Sequence, residues 1–275
     1  MSSTSADQLP EGWSDGAPGY ERNFAGYTAM YADEMLDLLA VGDSTRLLDV
    51  AAGTGATSLR AADRGAQVIA IDFAPGMVEL AAAALRAGGF EGSTAAVMDG
   101  QALDLPDDHV DAAVSMFGLM FFPDPGAGMR ELRRVVRPGG RVGTATWDLD
   151  GFSMSSLIGA ALAVAVPELA GTERPAPTWA PLGTPEGLER LLHDAGLLDV
   201  EVRRVDRRWH FEHPTEFFRD MPSWSSPVKP LFDLLPPERI DAAADAFATE
   251  LEAAGGAPGG AGLPMTALFA TGSVG

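Results

Sequence analysis

Short β-rich runs alternate with helical segments along most of this 275-residue chain, and that rhythm predicts a doubly wound α/β fold: a parallel sheet covered by helices. Two further observations support it. The apolar run TRLLDV leads straight into a glycine-bearing turn and a helix, and a second run, QVIAID, closes on an acid. With 46% hydrophobic and 21% charged residues, the chain has the composition of one enlarged globular domain carrying insertions.

The elements follow in order. Residues 1–19 are rich in Ser, Gly and Pro and are expected to be disordered. From Tyr20 to Ala40 apolar residues fall at helical spacing, so a helix precedes the sheet. Residues 20–150 then read as strand TRLLDV, helix Ala56 to Arg64, strand QVIAID, helix Pro75 to Ala87, strands STAAVM and DAAVSMF, helix Pro125 to Val136 and strand RVGTATW. The PGG at Pro138 to Gly140 is explained by a helix stop before a strand. Residues 151–182, an apolar helical piece followed by TERPAPTWAP, read as an insertion or lid. Residues 183–212 resume the core with a helix from Thr184 to Ala195 and a strand near Val200 to Phe211. Residues 213–260, bearing Pro, Phe and Trp, read as a helical cap insertion that ends in the flexible AAGGAPGGAG, and 261–275 hold the last strand, PMTALFAT.

Charge and composition narrow the function. Thirty-nine acidic against 19 basic residues give a net charge of -20, which repels a phosphate backbone and argues against a nucleic-acid partner. The absence of cysteine excludes disulfides and thiolate metal sites. The opening MSSTSADQLPEGWSDG has neither a basic nor an apolar leader region, and apolar stretches such as AALAVAV are too short to span a bilayer, so a cytoplasmic location without membrane association is expected.

The run LLDVAAGTGA carries the chemistry. Gly53 and Gly55 stand between a strand and a helix, where the missing side chains let the backbone approach a ligand closely. Asp72, at the end of the next strand, is placed to accept hydrogen bonds from both hydroxyls of a ribose. The plain alternative is a tight turn and a helix cap. A dinucleotide site is the sharper competitor. Ser58 occupies the position of its third glycine, and Asp49, just before the turn, opposes a pyrophosphate but suits an ammonium group held through water or the turn's amides. An amino acid moiety fits better.

These residues resemble the class I S-adenosylmethionine-dependent methyltransferases, especially the ubiquinone/menaquinone-biosynthesis-like (methyltransferase type 11) small-molecule branch. The resemblance runs from about Tyr20 to Trp147 through LLDVAAGTGA, VIAIDFAPGMVELA, VMDGQALDLPDDHVDAAVSMFGLMFFPD and ELRRVVRPGGRVGTATW, in that order. Ala51 departs from it, standing where the family usually has the first glycine of its turn. The resemblance implies a Rossmann-like sheet of seven strands, mostly parallel with an antiparallel last strand. It also implies S-adenosylmethionine as cofactor. Gly53, Thr54 and Gly55 would lie against its methionine part, with Asp49 and Ala51 beside them. Asp72 would hold the ribose, Phe73 and Met77 would flank the adenine, and Asp99 and Gly100 would meet its amino group, with Gln101 next to them. Met116 and Phe117 would face the sulfonium, and Tyr27, on the leading helix with Tyr31, would close over the methionine end or simply pack in the core.

The acceptor is less legible. Ligands of open α/β sheets sit beyond the carboxyl ends of the strands, which nominates Met120, Trp147 and, at the start of an antiparallel last strand, Met265; the cap adds Phe217, Met221 and Trp224. This apolar set suits an aromatic, polyketide or terpenoid-like small molecule, and a packed helical cap explains each residue singly as well. His210 is the candidate general base and Asp148 the second catalytic candidate, against the plainer reading of a surface or core histidine. No metal is expected, because an extended strand turns His210 and His213 to opposite faces and no carboxylates surround them. His109 and His193 read as solvent-exposed. The function expected is methyl transfer to a small, natural-product-like acceptor by in-line displacement. The alternatives are a non-methylating reaction such as cyclisation on the same cofactor, a nicotinamide-dependent oxidoreductase and a binding module. The oligomeric state is open.

Overall fold

The computed structural model describes residues 8–167, 176–233 and 235–275. Seven strands form one sheet in the order β3-β2-β1-β4-β5-β7-β6: β1 (Arg46–Val50), β2 (Gln67–Asp72), β3 (Thr94–Val97), β4 (Val110–Met116), β5 (Val136–Phe152), β6 (Leu198–Trp209) and β7 (Leu263–Ser273). β1 to β5 pair in parallel, whereas β7 runs antiparallel to both of its neighbours, β5 and β6. The chain order reverses between β1 and β4, so the crevice beyond their carboxyl ends is where this architecture leaves room for ligands.

The central strands bury both faces. Leu47, Leu48 and Val50 of β1 are fully buried, as are Ala113 and Val114 of β4, and this double covering explains their near-continuous apolar runs. The covering helices are α4 (Ala56–Asp63), α5 (Pro75–Ala87), α6 (Pro125–Val135) and α8 (Pro185–Asp194). α6 opens on Asp124, whose side chain accepts from the Ala127 amide, and α8 opens on Thr184, which accepts from Gly187; each is followed by a proline that needs no amide partner in a first turn. α7 (Ser153–Ala165) follows β5 directly, and the cap is built from α9 (Pro214–Asp220), α10 (Lys229–Phe232) and α11 (Ile240–Ala253).

The amino-terminal segment corrects two expectations. Residues 10–19 are not disordered: they belong to α1 (Pro10–Asn23), and the single helix expected over Tyr20 to Ala40 is instead the end of α1 followed by α2 (Ala25–Ala29) and α3 (Ala32–Leu38). Pro10 starts α1 at a position that tolerates proline, while Trp13, Ala17, Tyr20 and Phe24 fall at helical spacing toward the protein. Gly16 and Gly19, which look like disorder signals in sequence, are packing positions: a Cβ on either would come within 3.2 and 2.9 Å of Trp224. The part of the expected disordered terminus before residue 8, and residues 168–175 of the expected insertion, lie outside the described residues.

Candidate active site

Beyond the carboxyl end of β1 the chain turns back on itself within five residues, and the backbone pays for the tightness. Ala51, Gly53 and Gly55 all adopt positive φ, +54°, +56° and +92°. Glycine takes this conformation without steric cost, whereas at Ala51 it costs about 1–2 kcal/mol. The turn therefore keeps its left-handed shape despite the missing first glycine. Gly118 accommodates the extra methyl, because a Cβ there would stand 2.3 Å from that of Ala51.

Asp72 braces this turn. Its Oδ2 accepts from the Gly53 amide at 2.9 Å, and Oδ1 accepts from Ala74 at 2.9 Å, which aligns the acid at the end of β2 with the turn beside it. Burial pushes its pKa up to about 6, against the lowering effect of the amides. Asp49 lies deeper. Its Oδ2 accepts from Ser58 Oγ at 2.6 Å, and burial, reinforced by the charge of Asp72, raises its pKa to about 7. Ser58, at the place of a third dinucleotide glycine, thus works as the partner of Asp49. The neighbouring Thr54 is buried, and its Oγ1 has no hydrogen-bond partner.

The residues expected on the adenine side fall into two groups. Met77, Ala74 and Ala17 of α1 form a small buried cluster with Phe73, Trp13, Tyr20 and Leu80 packed around it. Asp99 is exposed and folds back on Gln101, accepting from its backbone amide at 2.8 Å, while Gln101 Oε1 accepts from the Asp124 amide. Gly100 is buried where a Cβ would strike Phe122 and Val50.

Helix α1 closes this region. Tyr20 lies over Gly53, the Trp13 ring meets Phe121 at 5.5 Å, and Ser14 Oγ accepts from the Gly76 amide, capping the otherwise uncapped start of α5. Trp13, Ser14 and Tyr20 thus lie against the candidate site and are absent from the sequence-based set; the spacing of Trp13, Ala17 and Tyr20 was the available signal. The cavity left between Tyr20, Thr28, Asp49, the turn and Met116 measures about 30 Å³, about the room of one water.

The acceptor candidates gather in one aromatic mass at the same sheet edge. Phe117, held at φ +60° with its amide donating to Ala145, stacks on Trp147 at 4.1 Å, and Tyr31 meets both rings edge-on. Tyr31 donates to the Met265 carbonyl at 2.9 Å and Tyr27 to that of His210 at 2.7 Å, tying the leading helices to β7 and to the end of β6. Met120, Trp147, Phe217, Met221, Trp224 and Met265 are all buried here or in the adjoining cap. Phe24, Trp209 and Phe211, absent from the sequence-based set, belong to it as well.

The two catalytic candidates are not brought to this mass. Asp148 is buried but paired with Arg204, its Oδ2 accepting from Nε at 2.5 Å, while Oδ1 takes the Asp150 amide. Residues 147 and 148 alternate across β5, so Asp148 lies on the face opposite Trp147. Alternation acts likewise on β6: Trp209 and Phe211 turn inward, and His210 is exposed with its ring beside Gly262. His213 and His193 are exposed and His109 pairs with Arg46. Among the described residues there is no cluster of three potential metal ligands and no helix long and apolar enough to cross a membrane. A shallow groove of about 420 Å³ at the opposite end of the strands holds Arg137 and Arg141, but Arg137 is paired with Asp111 and Arg141 donates to the Leu38 carbonyl.

Comparison with known proteins agrees with this geometry. Residues 48–143 match the Methyltransf_11 family, described as a methyltransferase domain. Over 114 residues the chain is 41% identical to an uncharacterized protein of Mycobacterium tuberculosis, a match covering 41% of this chain and 40% of that one. It is 43% identical over 99 residues to the demethylmenaquinone methyltransferase of Clavibacter sepedonicus, covering 35% and 39%. The chain thus matches about two fifths of the length of these curated relatives. The crystal structure of the 4+2 cyclase SpnF is similar with a TM-score of 0.54 at 22% identity, over 90% of this chain and 82% of that one, a likeness of fold.

Proposed function

We propose that this protein, whose residues 48–143 match the methyltransferase-domain family, is an S-adenosylmethionine-dependent methyltransferase acting on a small-molecule acceptor. The observation that carries the proposal is the bracing of the left-handed turn by the acid of the next strand, Gly53 N to Asp72 Oδ2. The Asp72 carboxylate takes the Gly53 and Ala74 amides and is also lowered by that of Phe73, and of its about four acceptor sites one is left for a ribose hydroxyl.

The residues present fit such a cofactor. Thr54 Oγ1 is a buried hydroxyl in want of a partner, Gly53 and Gly55 offer bare backbone, and Phe73 with Met77 offers apolar surface for a base. Asp49, with a pKa near 7, gains a partner for its charge if an ammonium group lies beyond the turn. When bound, the cofactor supplies an electrophilic methyl group, so the protein's task is to align the acceptor and exclude water.

The chain's own residues are arranged for that task. Phe117, Trp147 and Tyr31 form a dry wall between the turn and the cap. Tyr27 is held protonated at neutral pH, its phenol pushed up to about 12 by burial. With Asp148 committed to Arg204 and His210 turned outward, we assign the protein a positioning role, and the acceptor supplies a nucleophile that ionises readily or needs no deprotonation. Because α1 leaves only about 30 Å³ over the turn, cofactor admission requires Tyr20 and its helix to withdraw.

Calorimetry with S-adenosylhomocysteine, together with transfer of label from methyl-labelled S-adenosylmethionine to a panel of phenols and quinols, tests the proposal. Asp72→Ala is expected to weaken nucleoside binding at least tenfold; unchanged affinity would place the nucleoside elsewhere. A new product formed while the cofactor stays intact would replace methyl transfer with cyclisation or a related reaction.

A further inference from the structure

Three aspartates in the chain precede a glycine: Asp15, Asp99 and Asp150. Such a pair is chemically labile, because a glycine amide carries no side chain to hinder its approach to the neighbouring carboxyl carbon. Joining the two atoms in a five-membered ring requires the aspartate Cα–C bond to rotate to an angle found in neither helix nor strand, and the fold treats the three pairs differently. Gly16 lies inside α1, its amide committed to the helix ladder. Gly151 lies in β5 against Thr266, and pairing with β7 on either side of it, at Trp147 and Phe152, resists the rotation.

Asp99 stands in a turn instead. It is exposed, two residues past β3, and its carbonyl accepts from the Ala102 amide at 3.1 Å to close four residues into a turn. The amide of Gly100, second in that turn, makes no hydrogen bond among the described residues. Asp99 Oδ1 accepts from the Gln101 amide at 2.8 Å, which folds the carboxyl group across the Asp99-Gly100 peptide. Glycine is obligatory here, since a Cβ on Gly100 would stand 2.6 Å from Phe122 and 2.7 Å from Val50. Packing therefore keeps a labile pair at the position where the amino group of adenine is expected.

Resting on the methyltransferase reading above, we propose that Asp99-Gly100 is a modification site, where this chain converts spontaneously to isoaspartate unless a bound nucleoside guards it. The Gly100 nitrogen bonds to Cγ of the protonated Asp99 carboxyl, and the carboxyl hydroxyl leaves with the amide proton as water. One water molecule then opens the resulting imide. Attack at Cγ restores Asp99, whereas attack at the main-chain carbonyl leaves the backbone running through Cγ. That isomer has one more methylene in its backbone and one fewer in its side chain. With Gly100 wedged between Val50 and Phe122, the added length displaces Asp99, and its carboxylate recedes from the base.

Incubating the full-length protein for several weeks at neutral pH and physiological temperature, followed by peptide mapping with electron-transfer fragmentation, tests this. The peptide bearing Asp99 should split into two of equal mass, while those bearing Asp15 and Asp150 stay single. The number of S-adenosylhomocysteine sites in calorimetry should fall in step with the isomer. S-adenosylhomocysteine at about a hundred times its dissociation constant leaves roughly 1% of sites free, so its presence should slow conversion at least about tenfold. Asp99→Glu, whose ring would need six members, should give no isomer at this position. No isomer at Asp99, equal conversion at Asp15 or Asp150, a full complement of nucleoside sites in isomerised protein, or the same rate with and without nucleoside would each overturn the proposal. Fresh protein that binds no S-adenosylhomocysteine would refute the methyltransferase reading beneath it, and the map of unliganded protein would still decide where the chain isomerises.

Discussion

Asp49 makes the stability of this protein depend on pH in an unusual direction. Burial raises its pKa from 3.8 to about 7, with Asp72 adding in the same sense and Ser58 opposing. Between these values the folded state holds a proton that the unfolded state has released, so the stability linked to this group is fully present below about pH 4 and is lost as the pH climbs through 7. Taking 3.8 and 7 as the unfolded and folded values, the loss between pH 5 and pH 8 is on the order of 2–3 kcal/mol. Asp49→Asn removes the titration while leaving an oxygen to accept from Ser58. Urea unfolding at pH 5 and pH 8 should show the wild type losing about 2–3 kcal/mol more than the variant over that interval. Parallel pH dependences in the two proteins would mean that Asp49 is ionised in the folded state throughout. The same titration predicts that affinity for S-adenosylhomocysteine, measured by calorimetry, rises from pH 6 to pH 8 as a carboxylate becomes available to its ammonium group, and that Asp49→Asn flattens the rise.

Three other perturbations probe the turn, the opposite face of the sheet and the covering helix. Ala51→Gly should stabilise the protein by roughly 0.5–1 kcal/mol by relieving the positive φ, net of the glycine's entropy. Gly118→Ala should cost about 2 kcal/mol through overpacking, and a double-mutant cycle by thermal unfolding should show Ala51→Gly recovering part of that loss, since the two methyl groups would collide. Asp148→Asn should lower the melting temperature by breaking the contact with Arg204 while leaving S-adenosylhomocysteine affinity within about twofold; a large loss of affinity would return Asp148 to the site. Tyr20→Ala, which loses ring contacts to Trp13 and Phe24, should speed S-adenosylhomocysteine association in stopped-flow measurements by about tenfold, and an unchanged rate would show that α1 does not gate the turn.

How far the sequence could be read depended on the range of the forces involved. The helix over Pro75 to Ala87 was legible to the residue because proline, apolar spacing and glycine act within one turn. Trp13 was lost to disorder because Gly16, Pro18 and Gly19 are poor helix residues in isolation, and only Trp224, more than two hundred positions away, gives the two glycines a purpose. His210 and Asp148 were nominated by their place after a strand. Their roles depended on which face of that strand was buried, and on Arg204, which no spacing along the chain could pair with Asp148.

What the chain determined by itself was local: the strand-turn-helix at LLDVAAGTGA, the acid at Asp72, and the alternation that yields a parallel sheet, because backbone preference and apolar period operate between near neighbours. The tertiary structure decided how Asp49 and Asp72 titrate, that α1 lies over the turn, and that two indoles share one Phe24. Burial and desolvation depend on atoms brought together from distant parts of the chain, and neither quantity exists until those atoms meet.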